Sequence, residues 1–289
     1  MGWEFWLQTL ANGLVMGAIY ALVAVGLALI FGVLDIVNFS HGELYMAGAM
    51  FTWFFAERLG LGYLASIPAT LLLAVGMALL IFWLVRQTAG QIERSVIITL
   101  GVAMILQNGA MLIWTATPKE VVYEPLFGLV ELGPIVMPKA RLMVLAAAAA
   151  CIAGLFLFLQ NSHTGRTIRA VAQNPRAALM VGIRPNRAIL IAVVLGIVLA
   201  AVAGILLAPV YSVHPMMGQG FIVKIFAIVI IGGLGSLVGA VAVAFALGIF
   251  ESLMVMHVSM ATVEVMTFAA MILVLLLRPQ GLFSRTIRI

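Results

Sequence analysis

The run from Phe5 to Leu34 reads FWLQTLANGLVMGAIYALVAVGLALIFGVL and contains no charged residue. A helix needs about 20 mostly apolar residues to cross roughly 30 Å of hydrocarbon, so this run is long enough to span a bilayer. It follows Met1-Gly2-Trp3-Glu4, which lacks the basic start of a secretory signal, and it is too long for a cleaved signal core. The reading is a retained first span. Composition carries the same conclusion to the whole chain: of 289 residues, 65% are apolar and only 9% are charged, and mean hydropathy is +1.23. A soluble domain carries roughly 25% charged residues, so this chain could not cover a core with a charged shell in water.

Further apolar runs lie near Gly42 to Ala56, Tyr63 to Val85, Ser95 to Trp114, Leu142 to Leu159, Ala188 to Val210, Phe221 to Leu234, Val238 to Met256 and Thr262 to Leu277. The expected fold is all-α, a single polytopic membrane domain over residues 1–289 with about 8 to 10 transmembrane or re-entrant helices. The Phe221 to Leu234 run is short and contains Lys224, which points to a re-entrant or broken helix buried in protein.

Basic residues orient the spans. Arg86, Arg94, Arg166, Arg169, Arg176, Arg184, Arg187, Arg278, Arg285 and Arg288 can all share one side. Arg58, Lys119, Lys139 and Arg141 fall opposite, diluted by Glu4, Glu57, Glu120, Glu124 and Glu131. Nine crossings then put the amino terminus outside, with the carboxyl terminus and the basic 161–187 loop in the cytoplasm. The net charge of +5 is a topology signal, and nothing points to nucleic-acid binding. The lone Cys151 excludes a disulfide within the chain and reads as a small buried hydrophobe.

Small residues indicate close helix packing: Gly13 with Gly17, Gly235 with Gly239, and the ladder Gly196, Ala200, Gly204, Ala208. They fit contacts within this subunit or with a partner subunit. The Gly232-Gly233-Leu234-Gly235-Ser236 cluster lacks the Gly-Lys-Ser/Thr ending of a phosphate loop and reads as a tight turn.

Ionisable groups at mid-bilayer cost about 2.5 to 3.5 kcal/mol each on insertion scales, so Asp35, Glu43, Glu251 and Glu264 stand out. Asp35-Ile36-Val37-Asn38-Phe39-Ser40-His41-Gly42-Glu43 is polar yet lies between two apolar runs. Two readings fit it. It is a cytoplasmic hairpin, or a broken helix lining a translocation path where Asn38, Ser40, His41 and Glu43 meet substrate or water. Glu251 and Glu264 read as buried partners of polar groups on neighbouring helices, with Glu251 a candidate on the path. His41 and Glu43 are two apart, about 200° around a helix, which disfavours a shared metal. His163, His214 and His257 read as structural.

The basic loop Asn161 to Arg187 is the most specific feature. Asn174 can cap, Pro175 suits a first helical position, and a short helix over Arg176 to Val181 can end at Gly182. Such a helix between two loop arms is a rigid knob for a groove on a soluble partner; a solvated charged loop is the plainer reading.

Arg176-Ala177-Ala178 followed by Gly182 is similar to the Glu-Ala-Ala-x-x-x-Gly loop of ABC-transporter permeases, with Arg176 in place of the Glu. Gly17 to Leu22 with Gly26-Leu27, Phe31-Gly32-Val33 with Asn38 to Glu43, and Leu277-Arg278-Pro279-Gln280-Gly281-Leu282-Phe283 resemble the LivH-type permeases of branched-chain amino acid importers. The resemblance implies a bacterial inner-membrane import system. Its parts are a periplasmic binding protein, a second related permease subunit, and two cytoplasmic ATPases that hold the ATP and Mg. Coupling to them falls on Arg166, Arg169, Asn174, Pro175, Arg176, Ala177, Ala178 and Gly182. Relatives of this type also carry urea or short-chain amides. An ion-coupled secondary transporter using Asp35, Glu43 or Glu251 is the reading from another class; an intramembrane enzyme lacks an evident nucleophile and base.

Overall fold

A computed structural model of the chain describes residues 3–88, 91–278 and 280–283. Arg285 and Arg288 of the basic tail, and Pro279 within its motif, lie outside the described residues. Eleven α-helices are described: α1 Trp3–Leu34, α2 His41–Trp53, α3 Tyr63–Arg86, α4 Ile92–Trp114, α5 Lys139–Asn161, α6 His163–Gln173, α7 Pro175–Met180, α8 Pro185–Leu207, α9 Met217–Gly232, α10 Leu237–Met254 and α11 Met260–Leu277. Seven of them are long and apolar enough to cross a membrane: α1, α3, α4, α5, α8, α10 and α11.

The fold is all-α as expected, with one small β element in a connection. Between α4 and α5 the chain forms an antiparallel pair, β1 Leu129–Leu132 and β2 Ile135–Pro138, joined at Gly133. Residues in this connection lie outside any apolar run, so their backbone pairs with itself and with neighbours. The Gln8 side chain holds Val136 from both sides, donating to its carbonyl at 2.9 Å and accepting from its amide at 3.0 Å.

Contacts between connections sort them onto two ends of the bundle. At one end Lys119 and Val213 pair backbone to backbone, the Val122 amide donates to Glu57, and Ser252 donates to the Thr9 carbonyl. At the other, the Phe39 amide donates to Thr99, Leu282 donates to the Ile231 carbonyl, and Gly235 lies against Gly32.

Helices α1 and α8 form the centre. Their faces can approach closely because small residues meet: a Cβ on Gly26 would lie 2.5 Å from the Gly196 carbonyl oxygen, and one on Gly196 would lie 2.6 Å from that of Gly26. Gly13 and Gly17 pack on the α10 backbone around Phe245, Gly248 and Ile249. The Gly196, Ala200, Gly204, Ala208 ladder is likewise used within this chain, against α1 and α2. The turn after α9 uses Gly233 and Gly235, both at positive φ, and Ser236 caps α10 through the Gly239 amide at 3.1 Å.

Two of the apolar runs form short helices: the Gly42 to Ala56 run, expected as a crossing, and the Phe221 to Leu234 run, for which its length and Lys224 point to a re-entrant or broken helix. α2 is about 20 Å long and α9 about 24 Å by the 1.5 Å rise, both short of roughly 30 Å. α2 continues into a π-helical turn, Phe54–Arg58, and α9 begins at Met217, one turn earlier than the apolar pattern indicates. The glycine seams make a stability prediction. Gly48→Leu, whose added Cβ would lie 2.7 Å from the Ala201 Cα, is expected to cost at least the roughly 1–3 kcal/mol of core overpacking, seen as a lowered unfolding temperature in detergent. Gly101→Leu, with nothing within 4 Å, is the control that leaves it unchanged.

Candidate functional site

α1 ends at Leu34, and Asp35 takes a left-handed turn at φ 53°, which reverses the chain. Residues 35–40 then run back into the bundle instead of forming an external hairpin. The proof is His41: its Nε2 lies 3.1 Å from the Val23 carbonyl oxygen, 11 residues before the end of α1. It also sits beside Gly26 and therefore beside Gly196, the middle residue of α8. α2 thus begins at mid-depth. Non-helical backbone at that depth requires burial in protein, and Asn38, Ser40, His41 and Glu43 are all buried.

α9 meets α2 there. A Cβ on Gly42 would lie 2.5 Å from the Gly218 carbonyl oxygen, and one on Gly218 would lie 2.7 Å from that of Gly42. Each glycine is the second residue of its helix. One turn further on, the rings of Tyr45 and Phe221 stack with centroids 4.2 Å apart at 14°. From this crossing α2 runs to the end that holds Glu57, and α9 to the end that holds Leu282. Two half-helices with facing N-termini at mid-depth, each led in from a long helix that touches its counterpart at Gly26 and Gly196, form an inverted repeat of the kind seen in transporters.

The polar groups at this crossing are incompletely satisfied. Asn38 Oδ1 accepts from the Ser40 amide at 3.1 Å and from the Ser40 hydroxyl at 2.6 Å, which holds the turn into α2. Asn38 Nδ2, His41 Nδ1 and Glu43 Oε2 have no hydrogen-bond partner; they are three of the five such buried side-chain atoms among the described residues. Buried polar groups are normally paired, so this concentration of unpartnered atoms sets the crossing apart from the rest of the described residues. A cavity of about 10 Å³, near the size of one water, is lined by Ile30, Leu34, Asn38, Val85, Thr99 and Val193. Glu43 stands in the first turn of α2 and against the start of α9, since a Cβ on Gly218 would lie 2.6 Å from its Oε2. A carboxylate is favoured at positive helix ends and offers an acceptor for a cationic group.

Glu251 belongs to a separate cluster one turn deeper along α9. Lys224 Nζ lies 3.0 Å from Glu251 Oε1, as an ion pair rather than an aligned hydrogen bond, and 3.6 Å from Glu264 Oε1. The Tyr20 hydroxyl donates to Glu251 Oε2 at 2.6 Å. This joins α1, α9, α10 and α11. Glu251 is buried as expected, but the Glu264 side chain is 48% exposed, because α11 packs on the bundle through Val263 and Thr267 and leaves its other faces outside. Sequence reading gave Glu251 unspecified polar partners; Lys224 and Tyr20 are the ones, and Lys224, an ammonium inside an apolar run, was the available signal.

The basic loop is almost wholly helical. Ser162 caps α6 by accepting from the Gly165 amide at 2.8 Å. Asn174 caps α7, accepting from the amides of Arg176 and Ala177 at 3.0 Å each, and Pro175 is the first helical residue. α7 thus starts at Pro175, which suits the first helical position, and ends at Met180, one residue before Val181. Gly182, at φ +81°, turns the chain into α8. Ala178 is buried, whereas Arg176 and Ala177 are exposed. The Arg169 guanidinium donates to the Leu159 carbonyl, which ties α6 to the end of α5, and Arg166 reaches the Asn161 carbonyl at 3.5 Å. The structure therefore brings the 174–182 residues together as one knob and gives Arg169 an internal role.

The ion cluster generates a prediction. Lys224→Ala leaves Glu251 buried without its cation and is expected to cost about 3–5 kcal/mol, read from thermal unfolding of the purified protein. Adding Glu251→Gln, which can keep the Tyr20 contact, is expected to restore part of that loss. Equal stability of single and double variants would show that the pair is not coupled.

Residues 9–275 match the family described as the branched-chain amino acid transport system / permease component. The chain is 31% identical to the high-affinity branched-chain amino acid transport system permease protein BraD of Pseudomonas aeruginosa, over 97% of this chain and 96% of that protein. It is 30% identical to the corresponding permease protein LivH of Escherichia coli over the same shares. It is 26% identical to a probable branched-chain amino acid transport permease protein LivH of Methanocaldococcus jannaschii, over 94% and 91%. Among solved structures, PsaBC from Streptococcus pneumoniae in complex with Fab superposes at a TM-score of 0.49 with 15% identity, over 93% of this chain and 91% of that one. This chain belongs to the family of branched-chain amino acid transport system permease components.

Proposed function

We propose that this chain is the membrane-spanning permease subunit of an ATP-driven importer that moves branched-chain amino acids across a bacterial inner membrane. The observation that carries the substrate is the relationship to BraD and LivH along nearly the whole chain. The path runs past the crossing of α2 and α9, where the unpartnered atoms of Asn38, His41 and Glu43 await a polar group. Ser40 holds the turn. Glu43 takes the ammonium of a zwitterion, and the paired helix N-termini favour its carboxylate. Glu251 supports the path wall through Lys224 and Tyr20 rather than touching the solute.

Eight described basic residues, Arg86, Arg94, Arg166, Arg169, Arg176, Arg184, Arg187 and Arg278, support a cytoplasmic place for the end that carries α6 and α7, with the amino terminus periplasmic. The α6–α7 segment couples to two cytoplasmic ATP-binding subunits, which supply ATP and Mg sites, and a periplasmic binding protein delivers the solute to a pair of permease subunits. Leu179, Met180 and Val181 support this docking role: they are 58%, 86% and 76% exposed in the middle of a charged segment. An apolar tip on a short, doubly capped helix fits a groove on a soluble partner.

Met180→Asp is expected to leave the subunit inserted while the ATPases no longer copurify with it and leucine uptake drops by at least tenfold, as about 1.4 kcal/mol of lost coupling per decade would give. Uptake of radiolabelled leucine into vesicles tests the whole reading. It should require ATP and stop when the partner ATPase is inactivated; uptake driven by an ion gradient without ATP would overturn it.

A further inference from the structure

Two amide side chains meet at the surface of the bundle, with a third next to one of them in the chain. The Gln107 Nε2 of α4 donates to the Gln219 Oε1 of α9 at 3.2 Å, across the groove between the two helices. Asn108 is exposed beside them, its amide nitrogen donating to the Met104 carbonyl at 2.7 Å, and Gly220 is exposed beside Gln219. Gln107 and Asn108 stand four and five residues beyond the midpoint of α4. That is about 6–8 Å along the axis, well inside the roughly 15 Å half-thickness of the hydrocarbon.

Acyl chains cannot hydrogen-bond, so polar side chains at this depth face a protein interior or a water-filled cavity. One asparagine can satisfy itself on its own helix, as Asn108 does. Two amides that bridge α4 and α9, Gln107 and Gln219, with acceptors and donors left over by their single bond, have another surrounding, and Asn108 is exposed next to Gln107 in the chain. Their position says which. Gln219 is the third residue of α9, as Glu43 is the third residue of α2, so the inverted repeat places the two at equivalent points of the crossing. Gly218 separates the exposed Gln219 from Glu43, whose Oε2 is buried and unpartnered. The amide strip is thus the outer face of the same polar site.

We propose that Gln107, Asn108, Gln219 and Gly220 form the wall of a water-filled permeation path, along which the charged headgroup of a zwitterionic solute passes before reaching Glu43. The inference rests on the transport reading above and adds the wall that faces the solute, which that reading leaves unassigned. Gln219 is the specificity-bearing member, since its amide can accept from the ammonium or donate to the carboxylate, and Gln107 positions it.

The test uses the intact transport complex in vesicles, with Cys151→Ser as background and single cysteines at Asn108 and Gln219. A water-soluble, membrane-impermeant methanethiosulfonate should modify both at least about tenfold faster than a cysteine at Leu72, which is 74% exposed on the apolar face of α3. Saturating leucine with the binding protein should slow the modification. Gly220→Cys, where nothing lies within 4 Å of an added Cβ, gives the same reading if Asn108→Cys does not assemble. Labelling as slow as at Leu72 in a complex that still carries leucine would overturn the proposal, because the strip would then be dry. Fast labelling that leucine leaves unchanged would support the water-lined wall and count against leucine as the solute, so the two readings fail separately.

Discussion

Everything at the centre of this protein depends on backbone meeting backbone at glycine. In hydrocarbon no water is present to satisfy free amides and carbonyls, so a chain that breaks its helix at mid-depth must be enclosed by other protein. The segment 35–40 and the starts of α2 and α9 are enclosed because α1 and α8 touch at Gly26 and Gly196, and α2 and α9 touch at Gly42 and Gly218. Side chains at any of these positions would separate the helices and open the polar backbone to lipid. The same contacts set the site: the approach at Gly218 is what admits the Glu43 carboxylate to the start of α9.

A second constraint is charge. Lys224 in the hydrocarbon is expensive alone, and its pairing with Glu251 and Glu264 offsets that cost while binding α9 to α10 and α11. Tyr20 completes the set and binds α1 to α10. α9 is therefore held by apolar stacking at Phe221 near its start and by ionic contacts at Lys224 further along. It is a short helix fixed at two points, which suits an element whose N-terminus must keep its place against a carboxylate.

Much of this was legible from local sequence. Span-length apolar runs declared the long helices, and Asn174, Pro175 and Gly182 declared α7 through capping chemistry that acts over three or four residues. The depth at which α2 and α9 begin was not legible. It is decided by pairs such as Gly42 and Gly218, far apart in the chain, and no periodicity within either run records it. Sequence also left Asp35 to Glu43 divided between an external hairpin and a broken helix, and the contact of His41 with Val23 decides for the latter. Gln107, Asn108 and Gln219 were overlooked because single amides inside apolar runs do not lower hydropathy enough to stand out. Their meaning arises only when α4 and α9 are adjacent. Glu264 was read as buried on charge grounds alone, whereas one contact with Lys224 at the bundle surface is enough to retain it.

The geometry also explains how a distant partner can act on the crossing under the proposed reading. The C-terminal turn of α7 is closed by the Gly182 and Ile183 amides, which donate to the carbonyls of Leu179 and Ala178 at 3.0 Å each, and Arg184 alone separates this turn from α8. α8 is an unbroken helix from Pro185 to Leu207, about 34 Å long. Its middle, Gly196, lies on Gly26 beside His41, and its outer half, Ala201 and Gly204, lies on the backbone of α2 around Tyr45 and Gly48. A push on α7 therefore reaches α2 through one rigid rod and contacts too close to absorb it. Close-packed backbone transmits displacement where flexible side chains would dissipate it. The glycines that allow the broken helices to exist in the bilayer are, by the same geometry, the points at which motion of α8 would shift the start of α2 against α9.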